Sequence, residues 1–281
     1  MSIESHIERH LNQKVENIIS ISTGIFEAYK VKLKNGNYVF IKLQHNGNKQ
    51  LINESTELVL LGKHIHTPKV LGCCEFCLIL EWVDESFNNK KQSQMGSELA
   101  NLHRNTSEYF GFEFDNKIGL TPQLNAVGKK ADDWSEFFWE YRLLYQINLA
   151  HKNNLITYKE YIKSLSIQDN LKNLLDIEIN PSLLHGDLWS GNTLSGKNNP
   201  YFIDTASYYG HREIDFALTF MFGGFSPEFY NEYNKHYPLD DGFDTRKHIY
   251  MLYHYLNHLN IFGISYHQNV MSCIHHIKSS N

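Results

Sequence analysis

The chain has 281 residues, 42% of them hydrophobic and 14% aromatic, which gives enough apolar mass for a sizeable core and excludes general disorder. Lysine plus arginine number 26 against 31 aspartate plus glutamate, a net charge of −5, and this balance argues against a general nucleic-acid surface. No apolar run approaches a membrane span and the start, Met1 to His6, is polar where a signal peptide is apolar, so the four cysteines are expected as reduced thiols in the cytoplasm.

Residues 2–13 read as a short helix with Ile3, Ile7 and Leu11 on one side. Strands are expected at Val15 to Ile21, Tyr29 to Leu33 and Tyr38 to Leu43, the last two joined by the turn Asn35-Gly36. Between the first two lies Ser22-Thr23-Gly24-Ile25-Phe26, where Gly24 lets bare backbone amides approach an anion. Lys42 stands near the end of the third strand. Leu51, Leu58, Leu61 and Ile65 then fall on one helical stripe at offsets of 7, 3 and 4, with Glu54 in its middle and Glu57 at its edge. A carboxylate on a buried face needs a cation, and Lys42 is the obvious one.

Two more strands are expected at Lys69 to Leu71 and Cys77 to Leu80. Cys73, Cys74 and Cys77 invite a metal reading, but a structural zinc site needs about four ligands at closed spacing. No second cysteine pair exists and Cys273 is alone near the end, so the thiols read as buried and inert. Beyond Glu81-Trp82-Val83-Asp84 the pattern turns helical. Met95, Leu99, Leu102 and His103 mark one helix. Trp134, Phe137, Phe138, Tyr141, Tyr145 and Asn148 form a largely aromatic stripe read as core, and Tyr158 to Leu175 reads as one further helix. Ser226-Pro227 is a helix start, with Ser as cap and Pro in the first turn. His254 and His258 lie four apart on a late helix; the adjacent Glu of a zinc protease is missing, so they read as pocket wall or packing.

The chemistry is concentrated in Leu183-Leu184-His185-Gly186-Asp187-Leu188-Trp189-Ser190-Gly191-Asn192. His185, Asp187 and Asn192 have the H-x-D-x-x-x-x-N spacing of a kinase catalytic loop. In such a loop the Asp reaches the hydroxyl that attacks the γ-phosphate, and the Asn turns back to a metal bridging the phosphates. The turn-like Ser195 to Pro200 is followed by Tyr201-Phe202-Ile203-Asp204, and a hairpin there returns Asp204 to the cleft of Asn192 as a second metal ligand. On this reading the Gly24 loop covers the phosphates of ATP, and Lys42, held by Glu54, grips them. Glu81, Trp82 and Val83 form the hinge whose backbone reads adenine. Only eleven positions separate Asp204 from Asp215. That leaves no room for a regulated activation segment and points to a small-molecule or otherwise unusual acceptor.

The run His185-Gly186-Asp187-Leu188-Trp189-Ser190-Gly191-Asn192 resembles the signature of the fructosamine kinase (ketosamine-3-kinase) family, a branch of the protein-kinase-like superfamily near the aminoglycoside and choline kinases. The Leu-Trp-Ser-Gly continuation is its specific part. Met95 to His103, Phe110-Gly111-Phe112, Asp115 to Gly119 and Tyr253 to His258 are similar to further family segments, so the resemblance spans nearly the whole chain. It implies an α+β, protein-kinase-like two-lobe fold: a small antiparallel β-sheet lobe with one key helix, residues 1–82, binding ATP, and a larger, mainly helical lobe, residues 83–281, for catalysis and substrate. It implies ATP and Mg²⁺ as cofactors, and as acceptor the 3-hydroxyl of a ketosamine, free or on a glycated protein, in deglycation repair. Asp187 is then the base, Asn192 and Asp204 hold the metal, and His185 and Asp215 support the loop. Trp189, beside the base, is expected to stack on the sugar, with His254 and His258 near it. The chain departs from the family in having only Gly24 where a Gly pair is usual, and Thr205 where Ile-Asp-Pro-Ala is usual. Two competitors are a kinase for another small alcohol or amino sugar, opposed by Trp189-Ser190-Gly191, and a nucleotide-binding pseudokinase, opposed by the intact Lys42, Glu54, Asp187, Asn192 and Asp204.

Overall fold

The computed structural model describes residues 2–21, 26–86, 91–125 and 131–280. Helix α1 (Ile3–Leu11) starts at Ser2, whose hydroxyl accepts from the Ser5 amide, and ends at Asn12 in the left-handed conformation with φ 51°. Strands β1 (Val15–Ile21), β2 (Glu27–Leu33) and β3 (Tyr38–Leu43) form a meander. Helix α2 (Gln50–Leu61) follows, then the hairpin β4 (Val70–Cys74) and β5 (Cys77–Glu81). These strands make one five-stranded antiparallel sheet in the order β1-β2-β3-β5-β4.

Strand alternation gives this sheet two covered faces. Val31, Ile41, Cys77 and Ile79 pack with Ile7 of α1. On the other face Leu78 and Leu80 pack with Leu51 and Leu58 of α2. Lys42 follows Ile41, so its side chain is on the α2 face with Phe40.

The rest of the chain is mainly helical. Helix α3 (Lys91–His103) leads to the small hairpin β6 (Asn116–Ile118) and β7 (Thr121–Gln123). Helix α4 (Trp134–Phe138) runs through a π-helical turn, Trp139–Leu143, into α5 (Leu144–Lys152), followed by α6 (Tyr158–Leu165) and α7 (Gln168–Leu174). Strand β8 (Ser182–Leu183), the hairpin β9 (Thr193–Ser195) with β10 (Pro200–Phe202), and β11 (Tyr209–Gly210) carry the loops of the site. Helices α8 (Glu213–Phe222), α9 (Pro227–His236), α10 (Phe243–Phe262) and α11 (His267–Ser279) complete the chain. The largest core among the described residues mixes aliphatic and aromatic side chains and draws on α4, α5, α8, α10 and α11. A buried bidentate pair ties α10 to α8, with Arg246 Nε and Nη2 at 2.8 and 2.6 Å from Glu213.

Three sequence expectations change. The helix expected over 158–175 is two helices. Ser164 and Ser166 donate their hydroxyls to the carbonyls of Glu160 and Lys163, and Ile167 turns inward to full burial between the two helices. The aromatic stripe also shifts. Trp134, Phe137 and Phe138 are buried, but Tyr141 and Tyr145 are only partly so and Asn148 is exposed. The wide π turn adds one residue to the helical repeat, so burial passes instead to Trp139, Leu143, Ile147 and Ala150. At α9, Pro227 occupies the first turn as expected, but the Ser226 hydroxyl donates to Glu228 Oε2 and caps no amide.

Candidate active site

The loop that follows β8 is held by its main chain. Strand β8 pairs with β11 and delivers Leu184 buried into the core. Asp215, in the first turn of α8, accepts from the amides of His185 at 2.6 Å and Gly186 at 2.8 Å. His103 Nε2 lies 3.2 Å from the same carboxylate, and its Nδ1 meets the Tyr233 hydroxyl at 2.8 Å. Burial works against ionisation of Asp215, but the His103 hydrogen bond and the amides hold its pKa below the ordinary range.

His185 is buried, and that burial lowers its pKa, so the ring is neutral. Its Nε2 donates to the Ile203 carbonyl at 3.0 Å and its Nδ1 accepts from the Asp187 amide at 3.3 Å, which fixes the tautomer. Gly186 sits at φ +86°, and a Cβ there would lie 1.9 Å from the Ala206 carbonyl oxygen. The Ala206 amide in turn donates to the His185 carbonyl at 2.9 Å. The two loops of the site therefore touch backbone to backbone.

Asn192 ends a short 3₁₀ turn, Ser190–Asn192. Its side-chain nitrogen donates to the Asp187 carbonyl at 2.8 Å and to Asp187 Oδ2 at 3.0 Å, leaving its Oδ1 directed the other way. The β9–β10 hairpin pairs Phe202 with Thr193, and the Ile203 amide donates to the Asn192 carbonyl at 3.0 Å. Asp204 comes next, beside Asn192 as the turn signal predicts, and it is left-handed at φ 54°. That region is sparsely used by residues other than Gly, and such outliers cluster at functional sites.

Lys42 Nζ lies 2.6 Å from Glu54 Oε1 and 2.7 Å from Asp204 Oδ1. Burial alone would lower the lysine, but the two carboxylates raise it, so it stays a cation. The same ammonium holds half-exposed Asp204 below its usual range against the desolvation of its surroundings. Asp187 goes the other way. Burial pushes it up to about 7, with the charges of Asp204 and Asp215 adding to the shift and the Asn192 bond opposing it.

These side chains line one cleft of about 550 Å³, together with Phe26, Gln50, Lys117, Trp189, His258 and Phe262. The Trp189 indole is 38% exposed at the cleft wall, edge-on to Phe222 at 5.9 Å. His258 packs among Phe222, Phe262 and Tyr266. His254 does not join them. It is 1% exposed, and burial pushes its pKa down to about 3 against a backbone contact at Ile214. Of the two roles read for it, packing is the one its position fits.

The side chains expected at the hinge also point away from the cleft. Glu81 accepts from the Lys69 amide at 3.0 Å, and the Trp82 ring lies 4.1 Å from Lys30 Nζ. Both line a separate surface pocket with Leu11 and Tyr38, so any reading of adenine falls to the main chain. Val83, next along, is half-buried. Gly24 lies outside the described residues.

Glu57 is the functional-looking residue that the sequence pattern passed over. It is buried one helical turn beyond Glu54. Its Oε2 accepts from Thr205 Oγ1 at 2.8 Å and from the Ser207 amide at 3.1 Å, and its Oε1 accepts from Asn116 Nδ2 at 2.8 Å. Burial pushes the carboxyl up to about 8 against these donors. Asn116 Oδ1 accepts from Gln123 at 3.2 Å and Asn125 at 2.7 Å, and Asn125 meets the guanidinium of Arg142. Arg142 is fully buried, 4.1 Å from the ring of Tyr208 and 4.8 Å from that of Phe137. Thr205 thus gives the Asp204 loop a hydroxyl anchor that a proline lacks. The only sequence hint was a second Glu three positions after Glu54.

The Fructosamine kinase family model matches residues 1–280. A chloroplastic protein-ribulosamine 3-kinase of Arabidopsis thaliana is 43% identical over 201 residues, which is 70% of this chain and 60% of that protein. The Enterococcus faecium protein assigned as a ketoamine kinase is 36% identical over 263 residues, covering 91% of this chain and 92% of its own. Among solved structures, a protein from Thermobifida fusca assigned as a fructosamine-3-kinase superposes with a TM-score of 0.91 at 26% identity, over 99% of both chains. An aminoglycoside phosphotransferase in ternary complex with AMP-PNP and hygromycin B gives 0.67 at 14% identity, covering 99% of this chain and 97% of its own, a likeness of fold. The chain belongs to the fructosamine kinase family, with the protein-kinase-like fold of its structural neighbours.

Proposed function

We propose that this chain transfers the γ-phosphoryl group of ATP to the 3-hydroxyl of a ketosamine, free or protein-bound. The observation that carries the proposal is the convergence of Asp187, Asn192, Asp204 and the Lys42–Glu54 pair on one cleft. Asp187 accepts the proton of the attacking hydroxyl, and a pKa near the working pH suits a general base. Lys42, oriented by Glu54, holds phosphate oxygens. Asn192 Oδ1 and the Asp204 carboxylate are hard oxygen donors on one side of the cleft, a set that fits Mg²⁺. When bound there, the ion neutralises charge on the phosphates. His185 and Asp215 hold the loop, and Trp189 offers the sugar a flat face at the cleft wall. His258 lines the same wall.

Residues 1–82, with the main chain of Glu81, Trp82 and Val83 at adenine, form the nucleotide lobe. Residues 83–281 form the catalytic and acceptor lobe. A reducing cytoplasm suits the four unpaired cysteines, and no helix among the described residues is long and apolar enough to cross a membrane.

The test is ATP consumption with Mg²⁺ on ribulosyl-lysine, erythrulosyl-lysine, fructosyl-lysine, an aminoglycoside and choline. We expect turnover confined to the ketosamines and lowered about 10³-fold in Asp187→Asn. We also expect kcat/KM to fall on the acid side of about pH 7, as Asp187 takes up its proton. Turnover only on the aminoglycoside or choline would overturn the acceptor. ATP binding without turnover on any acceptor would replace the enzyme with a binding module.

A further inference from the structure

The edge of the sheet where α1 meets the β4–β5 hairpin gathers a second set of chemical groups. His6 and His10 are one turn apart on α1 and so share a face. Cys74 and Cys77 are paired residues of the β4–β5 hairpin, with sulfurs 3.5 Å apart and no disulfide. One ligand atom from each of the four residues lies within 4.8 Å of the others. The sheet pleat sorts the cysteines: Cys74 and Cys77 pack on the α1 face, while Cys73 belongs to the α2 face and donates its thiol to the Leu51 carbonyl.

Two further observations point to a ligand. His6 is 2% exposed, yet among the described residues its Nδ1 has no hydrogen-bond partner, and neither does His10 Nε2. Buried ring nitrogens without partners are costly, and a metal ion would satisfy them. The backbone also makes room for the approach. A Cβ at Gly72 would lie 2.7 Å from His10 Cβ, so glycine lets the imidazole lie against β4.

We infer that His6, His10, Cys74 and Cys77 are a structural zinc site that fastens α1 to the β4–β5 hairpin. The spacings C-x₂-C and H-x₃-H are those of tetrahedral zinc sites, and Zn–S bonds of about 2.3 Å place two thiolates ~3.8 Å apart. Two neutral imidazoles and two thiolates match a borderline-soft divalent ion better than Mg²⁺ or Ca²⁺. Binding forms two Zn–S and two Zn–N bonds. It releases two thiol protons to solvent, so the site ends with no net charge. The reading of the cysteines as inert thiols, made for want of a second cysteine pair, gives way here because α1 supplies the other two ligands. Since β5 pairs with β3, the site anchors the sheet that carries Lys42.

The experiment is elemental analysis of protein purified without chelators, followed by Co²⁺ loading of chelator-stripped protein. We expect one zinc per chain, and for Co²⁺ the intense visible bands and near-ultraviolet charge transfer of a tetrahedral thiolate site. Cys74→Ser and His10→Gln should each lose both signals, and chelation should lower Tm in the wild type but not in these variants. If a variant does not fold, the cobalt spectrum of the wild type still decides. Metal-free wild type that gives no cobalt spectrum would overturn the site, as would zinc retained in both variants, or a Cys74–Cys77 disulfide in protein kept reduced during purification.

Discussion

The floor of the cleft and the wall behind it are built from one helix, α2, with opposite chemistry. At the floor Glu54 faces a cation, Lys42, that also reaches Asp204. One turn later Glu57 faces only neutral donors: a hydroxyl, a backbone amide and the carboxamide of Asn116. Behind it the chain of amides ends at Arg142, which among the described residues has no ion pair. That cation rests on the carbonyls of Leu124 and Tyr141 and on aromatic faces. The difference teaches a division of labour. On the proposed reading, charged partners stand where a phosphate must displace or share them, and neutral ones where a loop must stay still. Satisfied amides specify one geometry, and the buried charge of Arg142 is met by carbonyl dipoles and ring faces in place of a counter-ion.

The comparison breaks most visibly at Lys42. Lys42→Met leaves Glu54 buried without its cation, a loss of about 3–5 kcal/mol. Urea unfolding should show that loss, and ketosamine turnover should vanish with it. Stability equal to wild type would mean that the floor does not depend on its charges.

Glu57→Gln tests the wall. The amide must turn its NH₂ toward one of three donors, so stability should fall by about 1–3 kcal/mol. We expect kcat to drop with KM for ATP little changed, because Glu57 acts on the Asp204 loop and touches no phosphate. The pH dependence carries a sign. The folded carboxyl is raised from 4.5 to about 8, so the folded chain keeps a proton that the unfolded chain releases. That contribution is complete below about pH 4.5 and is lost as pH rises through about 8. Wild-type unfolding free energy should therefore decline across this window more steeply than that of Glu57→Gln; equal slopes would refute the raised carboxyl.

The smallest effect, at Asn148, sharpens the account of the helix carrying Arg142 when set beside its neighbour Ile147. Ile147→Ala should cost about 2–5 kcal/mol, while Asn148→Ala should stay within about 0.5 kcal/mol. The reverse order would put the burial phase back where a regular helix has it.

The parts of the fold that were legible are those whose meaning is local. The strands of the sheet, Asn35-Gly36, the spacing from His185 to Asn192 and the turn before Asp204 each state their geometry within a dozen residues. The Lys42–Glu54 pair was legible because a carboxylate inside an apolar stripe demands a cation. Glu57 was not, because what buries it is Asn116 and Ser207, 59 and 150 positions away. The π turn escaped because a fixed 3.6-residue repeat has no place for an inserted residue. His6 and His10 had their spacing in plain view, but nothing in it announces the hairpin of Cys74 and Cys77.

The contact of Gly186 with the Ala206 carbonyl has a consequence for how such a chain evolves. Any side chain at 186 collides with backbone, so the Asp187 loop and the Asp204 loop interlock at a position that admits only glycine. Much of the cleft wall, which on the proposed reading meets the acceptor, belongs to other elements. His258 and Phe262 stand on α10, outside those loops, and Phe262 is largely exposed. Substitutions there leave the interlocked backbone untouched. Acceptor preference can drift across lineages while the phosphoryl-transfer core stays unchanged, and an engineer seeking a new sugar should begin on that helix.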